Sequence, residues 1–172
     1  MFLVIIRATS WPKQIIIVIL IIGVLILGMI YYSRFRTEKR QEREIEEYIQ
    51  RMLNISAEEV IEQHFKWKND QNIRGLSLTM HKGGFHPNYF RNLRSITLIS
   101  ISDISDSDVA IGLQENASWF PSNYYDLKFF SVVFDLQRRN QHRINDGTNY
   151  FIYVVIKETP ESPWEIYHWV LD

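Results

Sequence analysis

The chain has 172 residues and a formal net charge of −1, and 46% of its residues are hydrophobic. This composition argues against a disordered chain and against a basic nucleic-acid-binding surface. The absence of cysteine excludes a disulfide framework, thiol catalysis and zinc held by cysteine. The length leaves room for one domain with a hydrophobic core beside an apolar N-terminal segment.

The N-terminal segment predicts a membrane span. From Gln14 the chain reads QIIIVILIIGVLILGMIYY, and no charge follows until Arg34. A helix over residues 15–32 is about 27 Å long, which is close to the hydrocarbon thickness of a bilayer. A cleaved signal peptide is the alternative, but the run ends in GMIYYSRFR without a small-x-small cleavage site. We therefore predict a tail over 1–13 and an uncleaved span over 14–33, with aromatic residues at both interfaces. The predicted anchor residues are Trp11, Ile15, Gly23, Tyr31 and Tyr32.

The segment 34–55 predicts a charged helical linker. Its apolar side chains recur at helical spacing and form one stripe, which includes Ile45, Tyr48, Ile49 and Met52. We expect this stripe to pack on the following domain; self-association as a short coiled coil is the alternative. The basic residues after the span outnumber those before it, which by the positive-inside rule favours a cytoplasmic C-terminal domain.

A capping box marks the start of the domain. Ser56 and Glu59 have the S-x-x-E spacing, with Ile55 and Val60 at the staple positions. We expect a helix from Ala57 to about Asp70, then a shorter helix from Asn72 that carries Leu76 and Met80. Gly83-Gly84 and Pro87 end the helical region. The first helix is expected to bury Val60, Ile61, His64, Phe65 and Trp67.

Four β-rich runs follow, over 93–104, 124–137, 149–158 and 164–171. Asn145-Asp146-Gly147 is a hairpin signal before the third run. Helices followed by an antiparallel meander predict an α+β domain over 56–172, with the helices packed on one face of a curved sheet. Strict alternation in the last run places Trp164, Ile166, His168 and Val170 on one face.

Three segments together resemble the nuclear transport factor 2-like (NTF2-like) domains. They are SAEEVIEQHFKWKNDQNIRGLSLTM, LRSITLISI and the closing SPWEIYHWVLD. The chain is most similar to a bacterial family of unknown function, found mostly in Firmicutes, in which such a domain follows a membrane anchor or signal peptide. The resemblance implies a cone with a pocket between helices and sheet, and an extracytoplasmic domain. It transfers no catalytic residues. We follow it for the orientation, against the charge bias.

The sequence carries no reaction motif. The five histidines (His64, His81, His86, His142 and His168) lack the ligand spacing of a zinc site, so we predict no metal and expect the loop histidines to be exposed. A G-x-S-x-G elbow and a phosphate-binding glycine loop are both missing, and no cofactor is expected. An isomerase-type enzyme would need a carboxylate facing tyrosine donors inside the cone, with Asp126 as a candidate. We expect no enzymatic activity.

A pocket lined by aromatic side chains is the remaining candidate for a ligand site. Its candidate residues are Trp119, Tyr124, Tyr150, Tyr153, Trp164 and His168. The alternative is that these side chains fill the core.

The sequence thus predicts a membrane-anchored, non-catalytic domain that binds an unidentified protein or small ligand, in the setting of the cell envelope. Nucleic acid is not expected as a partner. The alternative is a structural scaffold subunit, since conjugation and type IV secretion scaffolds share this layout of span, linker and small domain. A homo-oligomer through the linker helix would fit that alternative.

Overall fold

The computed structural model describes residues 13–81, 92–120, 123–139 and 146–171. The chain divides into two compact units, Met1–Arg43 and Glu44–Asp172. The helices are α1 (Lys13–Arg51), α2 (Ala57–Asn69), α3 (Ile73–Leu78) and α4 (Asp108–Asn116). The strands are β1 (Leu93–Asp103), β2 (Asp126–Arg138), β3 (Gly147–Lys157) and β4 (Trp164–Leu171). The predicted glycine and proline breakers at 83–87, along with His86, His142 and Asn145, lie outside the described residues.

In the described residues, the first unit is α1 up to Arg43, and it contains the apolar part of that helix. Among the described residues, α1 is the one helix long and apolar enough to cross a membrane, judged by length and composition. Its large apolar side chains between Ile17 and Tyr32 are 47–75% exposed. Gly23, Tyr31 and Tyr32 lie on this stretch, and Ile15 lies in the helix before it. Trp11 lies outside the described residues.

The second unit is built on one four-stranded sheet in the order β1-β2-β3-β4. All three strand pairs are antiparallel, with Phe130 opposite Tyr153 in the central pair. The predicted α+β class is confirmed. Gly147 opens β3 with φ 109°, a left-handed conformation that glycine adopts without a steric penalty.

One face of the sheet is covered by the N-terminal helices. The capping box at the start of α2 is confirmed, because Ser56 accepts from the Glu59 amide and the Glu59 carboxylate accepts from the Ser56 amide. Alternate residues of β2 and β3 face α2, among them Phe134 and Tyr153. Ile45 and Tyr48, from the last turns of α1, are buried in this same core. The unit therefore begins upstream of the predicted boundary at Ser56.

The opposite face is covered by α4, which is not among the predicted elements. Ser107 caps α4 by accepting from the Ala110 amide. Ala110 then packs on Phe129, Ile152 and Val154, the outward residues of the two central strands. β2 and β3 are apolar on both faces, so the second face needs a cover. The N-terminal helices pack on one face as expected, and α4 adds a layer on the other.

A β-bulge in β4 changes which residues share a face. Ile166 pairs with Val155 and His168 pairs with Val154, which leaves Tyr167 as the extra residue. Trp169 therefore joins the α2 face with Trp164 and Ile166. The predicted shared face for Trp164, Ile166, His168 and Val170 is wrong, because alternation breaks at the bulge and leaves His168 and Val170 on the α4 side.

Candidate functional site

The six predicted pocket residues lie in different environments, divided between the two faces of the sheet and its surface. Tyr153 is buried in the core under α2, and Trp164 packs against that core. Trp119 lies against the α4-side cluster, where its ring centroid is 4.4 Å from that of His168. Tyr124 accepts a hydrogen bond from Gln114 at 2.8 Å. Tyr150 is 54% exposed.

The space between α2 and the sheet is filled by aromatic side chains. The ring centroids of His64 and Phe65 lie 6.1 Å and 5.7 Å from that of Tyr153, and Trp169 stacks on Tyr153 at 6.1 Å. Phe65 also contacts Phe134, with 5.1 Å between centroids. These spacings are ordinary for packed aromatic cores. Tyr153, which was predicted to line a pocket, is thus one of the side chains that fill this space.

His64 is fully buried in this aromatic core and is held by one hydrogen bond. Its Nδ1 lies 3.0 Å from the Thr79 hydroxyl, which itself donates to the Leu76 carbonyl at 2.8 Å. Since the Thr79 proton is used, Nδ1–H of His64 must be the donor. Burial, with a smaller contribution from Lys68, holds the pKa of His64 well below its usual range. His64 is therefore a neutral core residue at physiological pH.

A second aromatic and ionisable cluster lies along β4 on the α4 side. The Tyr167 hydroxyl donates to the Trp119 carbonyl at 3.0 Å, and this bond fixes the loop after α4. Burial lowers the pKa of His168, whose ring contacts that of Trp119 at a tilted angle of 41°. The ring of His81 lies 5.3 Å from that of Tyr167.

His81 is bracketed by two carboxylates at the edge of β4. Its Nδ1 lies 2.9 Å from a Glu165 oxygen, and its Nε2 lies 3.8 Å from a Glu158 oxygen. Backbone bonds position it, since Thr79 and His81 pair with Ile166 at that edge. The expectation of an exposed loop histidine is wrong for His81, because a contact between distant parts of the chain partly buries its ring. Within the described residues, no group of three or more His, Cys, Asp or Glu side chains is arranged to hold a metal ion.

A polar groove of about 280 Å³ lies between the end of α1 and α2. Lys66 and Glu44 form an ion pair of 2.7 Å across it. The Tyr48 hydroxyl is buried beside it, and within the described residues it has no hydrogen-bond partner. The groove suits a polar occupant. Its lining residues are Glu44, Glu47, Tyr48, Arg51, Gln63 and Lys66.

The four predicted self-association residues occupy different environments. Ile45 and Tyr48 are buried in the core of the second unit, and Met52 packs partly against it. Ile49 is 46% exposed. Three of the four therefore serve the domain's own packing.

These observations define an α+β domain on a single antiparallel meander, preceded by an apolar helix. Residues 58–169 match the family described as a domain of unknown function, DUF4829. The match spans more than half of the chain, so the protein belongs to that family. Comparison with curated proteins gave no significant match, and neither did comparison with solved structures.

Proposed function

We propose that the protein is a single-pass membrane protein that displays an NTF2-like, non-catalytic interaction domain outside the cell membrane. The observation that carries this proposal is the exposed apolar stretch of α1. Between Ile17 and Tyr32 its large side chains are 47–75% exposed, and the sequence there contains no charge. Such a continuous apolar surface is unfavourable in water and matches hydrocarbon in length.

The family resemblance supports an extracytoplasmic domain and an NTF2-like fold. The basic residues from Arg34 to Arg43 act against this orientation under the positive-inside rule. Glu38 and Glu42 are interleaved with them.

The filled aromatic interior supports a binding role in preference to catalysis. The rings of Phe65, Tyr153 and Trp169 fill the space between α2 and the sheet, where the resemblance implies a pocket. The polar groove between α1 and α2 is the surface we assign to a partner, since it combines charges of both signs with an open mouth. An unidentified protein or small polar ligand would bind there.

Carbonate extraction of membranes tests the anchor. The wild-type chain is expected to stay in the membrane pellet at alkaline pH. The variant Ile22→Arg/Val24→Arg is expected to lose membrane retention, because charge at mid-span costs about 2.5–3.5 kcal/mol per residue. Ile73→Arg is the matched control, since Ile73 is 51% exposed on α3 and should tolerate the same change. Release of the wild-type chain by carbonate would refute the anchor.

A reporter fused after Asp172 tests the orientation. Alkaline phosphatase is active only outside the cytoplasm, so an active fusion is expected. A fluorescent protein that folds only in the cytoplasm serves as the opposite reporter and should stay dark. An inactive phosphatase with a bright fluorescent fusion, both made at normal levels, would place the domain inside.

A scaffold role is a second candidate, and one exposed pair favours it. Ile49 lies in the last turn of α1 and Leu53 in the turn that follows the helix, and the two side chains are 46% and 57% exposed. Since the chain has no cysteine, Ile49→Cys introduces a unique thiol. If the protein associates through this pair, the variant is expected to form a disulfide-linked dimer in membranes. Much less dimer is expected for Glu47→Cys, which is exposed on the opposite face of the same helix. Monomers in both variants would exclude association through this pair.

A further inference from the structure

Two cationic side chains of α1 lie over aromatic rings at the end of the apolar stretch. The guanidinium carbon of Arg36 is 4.8 Å from the ring centroid of Tyr32, and Nζ of Lys39 is 4.7 Å from that of Phe35. Both distances are within the range of cation–π contacts. Each ring belongs to the residue four positions earlier, so each contact directs its cation back toward the apolar stretch. We call these four residues the interfacial cluster.

The interfacial cluster lies at the height of the lipid headgroups if α1 spans a membrane, as proposed above. The headgroup layer adds about 5–7 Å on each side of the hydrocarbon. The backbone of Arg36 is about 6 Å along the helix axis from Tyr32, and the contact with Tyr32 returns its guanidinium toward that level. Lys39 follows about 4.5 Å further out, and its ammonium is directed back in the same way. Both cations therefore lie at or next to the layer that contains the lipid phosphates.

The basic residues that follow the span share one face of α1. Arg36, Lys39, Arg40 and Arg43 are all exposed and recur at i, i+3, i+4 and i+7. Glu38 is two positions from Arg36 and so lies on the opposite side of the helix. Among the ion pairs found in the described residues, none includes Arg36 or Lys39. This face therefore presents positive charge that is complementary to an anion.

The aromatic contacts hold the two cations without neutralising them. A ring attracts a cation through its quadrupole and carries no net charge. The donors of the guanidinium and the ammonium that point away from the rings remain available to oxygen acceptors. The rings of Tyr32 and Phe35 thus fix the direction of the side chains and leave their hydrogen-bonding capacity to a ligand.

We propose that Arg36 and Lys39, held by Tyr32 and Phe35, bind the phosphate group of an anionic phospholipid. The planar guanidinium presents paired N–H donors that match two oxygens of a phosphate, and the ammonium adds a point charge for a third. Basic residues beside a span are attracted to anionic lipid, whereas the choline of a zwitterionic lipid offsets its own phosphate. The site rests on the proposed membrane anchor. It does not depend on which side of the membrane the domain occupies.

Energy transfer from a dye on α1 to labelled lipids tests the site. Since the chain has no cysteine, Thr37→Cys supplies one attachment point, at an exposed position outside the interfacial cluster. The full chain is placed in phosphatidylcholine nanodiscs that contain a small fraction of acyl-chain-labelled phosphatidylglycerol. A second set contains the same fraction of phosphatidylcholine with the same label. The ratio of the two transfer signals, corrected for random mixing, gives the preference for the anionic lipid.

The site variant is Arg36→Gln/Lys39→Gln. Its control is Arg34→Gln/Arg43→Gln, which removes the same charge from two exposed residues on either side of the pair. The wild-type chain is expected to prefer phosphatidylglycerol by about fivefold, which corresponds to the attraction of one basic residue to an anionic surface. The control should keep at least half of this preference, and the site variant should lose it.

A second variant, Tyr32→Leu/Phe35→Leu, tests the role of the rings. It keeps every charge and the apolar character of both positions but removes the cation–π contacts. The preference is expected to fall by about half or more, because the cations are no longer held toward the span. An unchanged preference would reject the assignment of these rings as positioning residues.

The remaining outcomes separate the site from the anchor. Equal transfer to the two lipids in the wild-type chain would overturn the site and leave the anchor intact. Equal losses in the site variant and the control would also overturn it, since charge alone would then explain the preference. Transfer to neither lipid would reject the anchor and the site with it.

Discussion

Gly75 lies directly against the indole ring of Trp67. A Cβ placed on Gly75 would be 2.5 Å from Trp67 Cδ2, a distance that real side chains do not tolerate. Trp67 is fully buried and contacts the ring of Tyr48 edge-on, with 4.7 Å between ring centroids. Its indole ring therefore cannot move away from a Cβ added to Gly75. The close packing of α3 on α2 therefore requires glycine at this position, although glycine is unfavourable in a helix.

Gly75→Ala is expected to lower the free energy of unfolding by about 1–3 kcal/mol through overpacking, despite the gain in helix propensity. Gly112→Ala in α4 is the matched control, because nothing lies within 4 Å of its added Cβ. The control should be neutral or gain up to about 1 kcal/mol. Urea unfolding of the full chain in detergent measures both. Similar effects of the two substitutions would contradict the contact.

The lowered pKa of His64 predicts that the protein loses stability in acid. Its folded pKa is lowered well below the usual 6.5 by burial. Below pH 6.5 the unfolded chain therefore binds a proton that the folded chain does not, and stability falls as pH falls. The slope from this one group approaches about 1.4 kcal/mol per pH unit. Unfolding midpoints between pH 7 and pH 5 measure it.

His64→Gln should flatten this slope, whatever it does to stability at neutral pH. His168→Gln is the comparison, because the pKa of His168 is also lowered by burial but the residue is only partly buried. It should remove a smaller part of the slope. If His64→Gln leaves the acid slope unchanged, the neutral buried state of His64 is incorrect.

The parts of the fold that local signals determine could be predicted from the sequence. The Ser56 capping box and the apolar spacing after it located α2, and the four β-rich runs located the sheet. The charge-free run before Arg34 located the apolar helix. In each case the signal and the structure it specifies lie within one short segment.

The candidate sites could not be predicted because contacts between distant segments create them. His81 meets Glu165 across 84 residues of chain, and its neighbour Met80 bridges to Ile166. The bulge at Tyr167 moves Trp169 to the α2 face, and alternation alone carries no sign of it. α4 was missed for another reason, since its short sequence has no strong apolar period.

The lowered pKa of Lys68 predicts that the protein gains stability in alkali. Its pKa is lowered from 10.5 to about 8 by burial and by Arg138. Between about pH 8 and pH 10 the unfolded chain therefore holds a proton that the folded chain has lost, so stability rises with pH. Tyr48, whose pKa is raised by burial, acts in the opposite direction only above pH 10. Chemical unfolding in phosphate-free buffers across this window measures the rise.

Lys68→Met should abolish that rise. Lys66→Met, two residues earlier on α2, should keep it, because Lys66 is paired with Glu44 at the exposed side of the helix. A rise of equal size in the wild-type chain and both variants would show that Lys68 is not responsible.

Tyr48→Phe tests whether the groove supplies a partner for the buried hydroxyl. In the described part of the chain this hydroxyl is buried without a hydrogen bond, while its ring packs on Trp67. Removing an unsatisfied buried polar atom is expected to leave stability unchanged or to raise it by about 1–3 kcal/mol. Tyr150→Phe, at an exposed position, should have no effect. A loss of about 1 kcal/mol or more for Tyr48→Phe would mean that the hydroxyl is hydrogen-bonded in solution, and the groove beside it would then be the place to look for the bound water or ligand.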